Sequence, residues 1–312
     1  MNILLHQPLS FQQQGKRSYQ EDARFPENDT PDINQRFFLV CDGVGGSEHG
    51  EVASQTVCQA FGKKMKSFNL SEDFSNKLFS QALDYAYEQL DKAAENIEGD
   101  MATTLTFVCF HEKGATMAHI GDSRIYQIRP DLGIIYKSDD HSLVNNLVHN
   151  GVISPEKAEF HPQRNVITRC MEPVADNEER AEATVVRTAD ILPSDYFFLC
   201  SDGVLHDIDD EKLVVIICDP ETSNQQKIQK IAGIAADSDD NNTAILLQIS
   251  HIQDAPDIPA VKAEDSRPTP DDEVSVTTNR FPRKITETLE VESFKKPESK
   301  GFFSRLKKIF SH

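Results

Sequence analysis

The chain has 312 residues, 38% hydrophobic and 27% charged, enough for one large core plus an appendage. Its formal charge of −19 excludes duplex nucleic acid as a partner, because phosphate binding needs a basic footprint. The six cysteines, Cys41, Cys58, Cys109, Cys170, Cys200 and Cys218, form no Cys-x-x-Cys pair and read as reduced core residues of a cytoplasmic protein.

Met1-Asn2-Ile3-Leu4-Leu5-His6 has no basic region followed by a long apolar run, and Leu213 to Cys218 is far too short to span a bilayer, so neither secretion nor membrane insertion is expected. Phe37-Phe38-Leu39-Val40-Cys41 is an apolar run of strand length that meets Asp42-Gly43-Val44-Gly45-Gly46, which predicts a buried strand delivering a carboxylate to its end. Apolar residues recur at helical spacing over 52–68 and again over 74–90, predicting neighbouring core-facing helices. Strands follow at 105–110, 115–120, 124–128, 183–187, 196–200 and 244–249, with turn signals between them. The strand at 196–200 repeats the earlier pattern, since Tyr196-Phe197-Phe198-Leu199-Cys200-Ser201 runs into Asp202-Gly203-Val204. Many strands with clustered helices point to an α+β fold of two antiparallel sheets with helices outside.

One Asp-Gly pair is ordinary turn chemistry. Two such strand ends, joined by exposed acidic turns at Asp22, Asp122 and Asp240, point instead to a hard-cation site, because Mg²⁺ and Mn²⁺ prefer carboxylate, carbonyl and water oxygens.

The composition changes near residue 250. The domain reading is a folded part over 1–250, an acidic disordered linker over 251–298 and a basic amphipathic helix over 299–312. In Phe302-Phe303-Ser304-Arg305-Leu306-Lys307-Lys308-Ile309-Phe310 the apolar residues fall at i, i+1, i+4, i+7 and i+8, one helical face with cations off it. Such a segment suits an anionic membrane, here its inner face, or a partner's groove.

In order along the chain, the motifs resemble the metal-dependent protein serine/threonine phosphatases of type 2C in their bacterial form. Gly15-Lys16-Arg17-Ser18-Tyr19-Gln20-Glu21-Asp22 is similar to that family's opening element, with Gln20 where Asn is usual. Val40 to Gly46 and Gly50-Glu51-Val52-Ala53-Ser54 resemble its Asp-Gly-x-Gly-Gly turn and following helix. Ala102-Thr103-Thr104, His119-Ile120-Gly121-Asp122-Ser123-Arg124, Asp140-His141-Ser142, His161 to Arg169, Leu199 to Gly203 and Asp240-Asn241-Asn242-Thr243 match in turn.

The resemblance implies a four-layer α-β-β-α sandwich, with a flap over about 142–170 capped at Ser142. It implies hydrolysis of phosphoserine and phosphothreonine on proteins by a water activated between two Mn²⁺ or Mg²⁺ ions, opposing a partner kinase. Asp42 would bridge the ions, the Gly43 carbonyl would contribute to one, and Asp202 and Asp240 would complete the other. Glu21 and Asp22 would act through metal-bound waters. Arg17 would hold substrate phosphate, its alternative being a surface pair with Glu21 or Asp22. Asp122 would hold a weaker third ion, or else pair locally with Arg124. The residue four after Asp202 is His206, and the acid often found there is displaced to Asp207. His141, His161 and His206 are proton-donor candidates by residue type, and the general acid stays unassigned. The reading from another class is a catalytically weak phosphoprotein-binding sensor recruited by its C-terminal helix.

Overall fold

Strand alternation sets the layers of this protein. The computed structural model describes residues 2–70, 74–174 and 179–253. The first half runs β1 (Asn2–Leu5), β2 (Leu9–Gln13), β3 (Asp22–Phe25), β4 (Phe37–Asp42), α1 (Gly50–Met65), α2 (Asn76–Ala94), β5 (Leu105–His111), β6 (Gly114–Ile120), β7 (Arg124–Arg129) and β8 (Gly133–Lys137). The second runs α3 (Leu143–His149), α4 (Pro155–Glu159), β9 (Thr184–Thr188), β10 (Tyr196–Cys200), a 3-10 turn at Asp202–Val204, α5 (Asp210–Cys218), α6 (Asn224–Ala235) and β11 (Asn242–Gln253).

One antiparallel sheet has the order β3-β4-β5-β6-β9. The other has the order β1-β11-β10-β7-β8, with β2 also on β11. Because successive strand residues face opposite sides, β4 sends Phe37, Leu39 and Cys41 towards α1 and α2, and Phe38 and Val40 towards the other sheet. In β10, Tyr196, Phe198 and Cys200 pack with Leu213, Ile216, Ile228 and Ile231 of α5 and α6, while Phe197 and Leu199 join Phe38 and Val40 in the middle. Phe110 and Phe197 meet edge to face across the sheets, with centroids 5.1 Å apart. The expected four-layer sandwich is therefore present, and each large side chain buried in it contributes about 1.5–3 kcal/mol.

Side-chain caps fix several helix starts. Ser75 accepts from Leu78 N, Ser142 from Asn145 N and Asp209 from Lys212 N, and Ser223 with Gln226 forms a capping box. The spacing over 52–68 overruns α1 by its last turn, and α2 starts after Phe74, which is buried before the Ser75 cap. All six cysteines are free, and Cys41, Cys58, Cys109 and Cys200 are buried. Among the described residues no helix is long and apolar enough to cross a membrane. The expected linker (251–298) lies outside the described residues except for its first positions up to Gln253, and the expected helix (299–312) lies wholly outside them.

Packing of β3 on α1 depends on a missing side chain. A Cβ at Gly62 would sit 2.6 Å from the Phe25 ring, and that ring is stacked on Phe37 at 5.2 Å and has little room to swing aside. Gly62→Val should therefore lower the unfolding free energy by about 1–3 kcal/mol through overpacking. Urea melts compared with wild type measure this, and an unchanged midpoint would contradict the close contact.

Candidate metal and phosphate site

The ends of β4 and β10 bring the acidic residues together. Asp22 is not in an exposed turn but opens β3 and is buried, and the ladder between β3 and β4 sets it opposite Asp42. Just past β10, Ser201 Oγ donates to Asp22 Oδ2 at 2.8 Å and accepts from Thr243 N at 2.9 Å, tying Asp22 to the other sheet. Asp42 stands close enough to Asp22 and Asp202 for each to feel the other's charge.

Backbone approach is unusually close at two glycines here. A Cβ on Gly43 would lie 2.6 Å from the Gly50 backbone, and one on Gly203 would lie 2.0 Å from the Asn241 carbonyl. These contacts let α1 close over the end of β4, and the 3-10 turn close over the start of β11. Thr103 and Thr104 hold the Asp42 backbone: Thr104 N donates to Asp42 O at 2.8 Å, Thr103 Oγ1 donates to it at 2.9 Å, and Asp42 N donates to Thr104 Oγ1 at 3.0 Å.

Burial and mutual repulsion raise the carboxyl groups of this cluster above their ordinary range. Asp22 is pushed up from 3.8 to about 7, chiefly by burial, with Asp202 adding to the rise and the bond from Ser201 working against it. Burial, then the charges of Asp22 and Asp202, hold Asp42 well above the carboxylate range. Asp122 rises to about 8 through burial, then Asp202 and Asp140. Asp202 is raised by burial and Asp240, with His206 working against both. Glu21, raised by burial and partly offset by Arg17, donates its backbone N–H to Asn241 Oδ1 at 2.7 Å and accepts at its carbonyl from Gly43 N at 3.0 Å.

Arg17 pairs with neither Glu21 nor Asp22: its Nη2 donates to Asp240 Oδ2 at 2.7 Å. Asp122 is not paired with Arg124 either. The Arg124 fork instead grips Asp140 through Nε at 2.8 Å and Nη2 at 2.7 Å. The sequence reading passed over this pair, although Arg124 and Asp140 both stand in its motifs. His206 is also nearer the chemistry than its sequence position suggests, since one ligand atom each from Asp202, His206 and Asp240 all lie within 4.8 Å of one another. Oxygen donors deficient in positive charge, with a single imidazole beside them, fit divalent cations.

His141 and His161, the other two proton-donor candidates, are held by bonds away from the carboxylates. His141 accepts from Gly121 N at Nδ1, contacts Thr184 Oγ1 at 2.9 Å and stacks on His119 at 4.4 Å, and burial with the neighbouring His119 and Arg169 lowers it to about 3. Its carbonyl accepts from Thr168 N at 2.6 Å, closing the base of the segment that carries α3 and α4. His161 accepts at Nδ1 from Gln163 N in a local turn.

With this geometry in view, comparisons place the chain among known proteins. Residues 21–229 match the family model for protein phosphatase 2C. A putative protein phosphatase 2C-type of Streptococcus pyogenes is 31% identical over 206 residues, covering 63% of this chain and 78% of the relative. The serine/threonine protein phosphatase PstP of Mycobacterium tuberculosis is 30% identical over 234 residues, 73% of this chain, which spans only 43% of PstP. Among solved structures, the catalytic domain of PstP in complex with two manganese ions superposes with a TM-score of 0.62 at 25% identity, covering 80% of this chain and all of that one. These findings favour the enzyme over the sensor. A family match spanning most of the folded residues, on a shared fold with the carboxylates gathered at its seam, leads to one conclusion: the chain belongs to the protein phosphatase 2C family and is a metal-dependent protein serine/threonine phosphatase.

Proposed function

We propose that Asp42, Asp202 and Asp240, with the Gly43 carbonyl, hold two Mn²⁺ or Mg²⁺ ions, that Glu21 and Asp22 act through waters on them, and that Asp122 serves a weaker third position. The observation that carries this is the crowding of carboxylates at one place: Asp22, Asp42, Asp122 and Asp202 are all displaced upward, each partly by a neighbouring carboxylate. When bound, such a pair supplies a water acidic enough to attack at neutral pH and neutralises charge on the phosphoryl group. The residues do the rest. Asp42 is fixed by Thr103 and Thr104, so its position costs no reorganisation during reaction.

Arg17 is poised to exchange partners. Its side chain is 40% exposed and its guanidinium is already on a carboxylate, so a phosphate dianion offers a second acceptor of matching fork geometry. The segment at about 142–170 borders the site as a flap that shapes access for phosphoprotein substrates, and Val152 and Phe160 stand exposed on it. The catalytic unit spans 1–250, opposing a serine/threonine kinase. The basic aromatic segment ending at Phe310 recruits it to the inner face of the membrane or to a partner's groove, and this segment lies outside the described residues.

Phosphothreonine-peptide kinetics separate the roles. Asp42→Asn should cut kcat by more than about 100-fold through lost metal affinity. Arg17→Lys should instead raise KM about tenfold, the loss of one charged hydrogen bond, with metal affinity retained. Near-normal turnover in Asp42→Asn, or weakened metal binding with unchanged KM in Arg17→Lys, would contradict these assignments.

The raised carboxylates also predict how the metal-free protein responds to pH. Unfolded carboxylates ionise near 3.8, whereas Asp22 and Asp122 ionise near 7 and 8 in the folded chain. The folded state therefore binds more protons in that window, and stability should fall as pH rises from about 4 to about 8. In chelator, thermal melts should show a Tm that drops over this range, with a shallower slope in Asp122→Asn, and Mn²⁺ should remove most of the drop. A metal-free Tm that rises with pH would refute the proposal.

A further inference from the structure

We propose that His206 is a ligand of this metal centre, donating Nε2 to the ion held between Asp202 and Asp240 and biasing that position towards transition-metal ions over Mg²⁺. The inference rests on the metal-centre reading above. It is specific to this chain, which carries an imidazole at the fourth residue after Asp202.

Chain geometry brings His206 back to the site. The 3-10 turn at Asp202–Val204, closed by Leu205 N donating to Asp202 O at 2.8 Å, folds the backbone over so that His206 faces the two aspartates. The three candidate ligand atoms lie within 4.8 Å of one another. Ligands about 2.1 Å from one octahedral ion stand about 3.0 Å apart when adjacent and about 4.2 Å when opposite, so a shift of the side chains towards an ion between them completes the set.

Ser238 fixes which ring nitrogen is free. It is 1% exposed, and its Oγ donates its one proton to the Gly203 carbonyl at 2.9 Å. Towards its other neighbours that oxygen can only accept. It accepts from Asp240 N at 3.3 Å and meets His206 Nδ1 at 3.3 Å, so Nδ1 carries the hydrogen. In the neutral imidazole Nε2 then keeps its lone pair, the arrangement in which a buried acceptor orients a metal-binding histidine. One hydroxyl thus aligns the loop after Asp202, the His206 ring and the Asp240 backbone. An imidazole in place of an oxygen ligand suits transition metals better than Mg²⁺, which demands hard oxygen donors.

The test uses the full chain stripped of metal, titrated calorimetrically with Mn²⁺ and with Mg²⁺, and pulsed electron paramagnetic resonance of the Mn²⁺ complex. Wild type should show a directly coordinated ¹⁴N coupling. His206→Ala should lose that coupling and bind Mn²⁺ about tenfold or more weakly, with Mg²⁺ affinity changed less than twofold. His206→Asp should recover Mn²⁺ affinity without the ¹⁴N coupling and narrow the preference over Mg²⁺. Unchanged Mn²⁺ affinity and coupling in His206→Ala, or equal losses for both ions, overturns the inference. Asp202→Asn separates the two levels. If it loses Mn²⁺ while His206→Ala does not, only the role of His206 fails. If it binds Mn²⁺ like wild type, the metal-centre reading fails with it.

Discussion

Carboxylates gathered where two sheets meet cannot all ionise unless positive charge lies between them. Two like charges about 4 Å apart repel by about 4 kcal/mol at the effective dielectric of a protein surface, and more with burial. In this chain the charges of Asp22 and Asp202 both act on Asp42, and Asp240 with Asp122 adds to the field. The fold imposes that proximity through apolar packing. Phe38, Val40, Phe197, Leu199 and their neighbours lock the sheets face to face, so the ends of β4 and β10 arrive together whether or not their carboxylates repel. A cation relieves the strain, and the site is therefore a device for binding one.

The surroundings are arranged around that deficit. Arg17 meets Asp240 at the rim, and Arg124 grips Asp140 and offsets part of the charge that Asp140 adds around Asp122. Ser201 and Asn241 tie the acidic loop at 21–22 to the start of β11, so residues far apart in sequence share one rigid frame. The neutral pair His119 and His141 anchors the neighbouring segment without adding charge of either sign.

Much of this was legible because the signals were strong and local. The apolar runs ending at Asp42 and Asp202 could pack only as core strands, and the repeated Asp-Gly endings exposed the cation chemistry. The helices α1 and α2 showed in their spacing, with ends misjudged by a turn because half-buried Phe68 and buried Phe74 extend the apolar pattern beyond the caps. Other elements were hidden for physical reasons. The strands β1, β2 and β8 are short and derive their pairing from β11 and β7, which no local pattern records. The run Leu213 to Cys218 is rich in β-branched residues and reads as readily as a strand, yet the Asp209 cap and burial against β7 and β8 make it helical. The partners of Arg17 and Arg124, and the return of His206 to Asp202, depend on turns whose geometry is tertiary.

The most direct test of the central claim is a crystal structure grown with Mn²⁺, with anomalous scattering recorded near the manganese edge. The account predicts two anomalous peaks about 3.5–4 Å apart, with Asp42 between them and Asp202 and Asp240 on one, and Arg17 released from Asp240. Peaks elsewhere on the protein, or an undisturbed carboxylate cluster at saturating Mn²⁺, would contradict it.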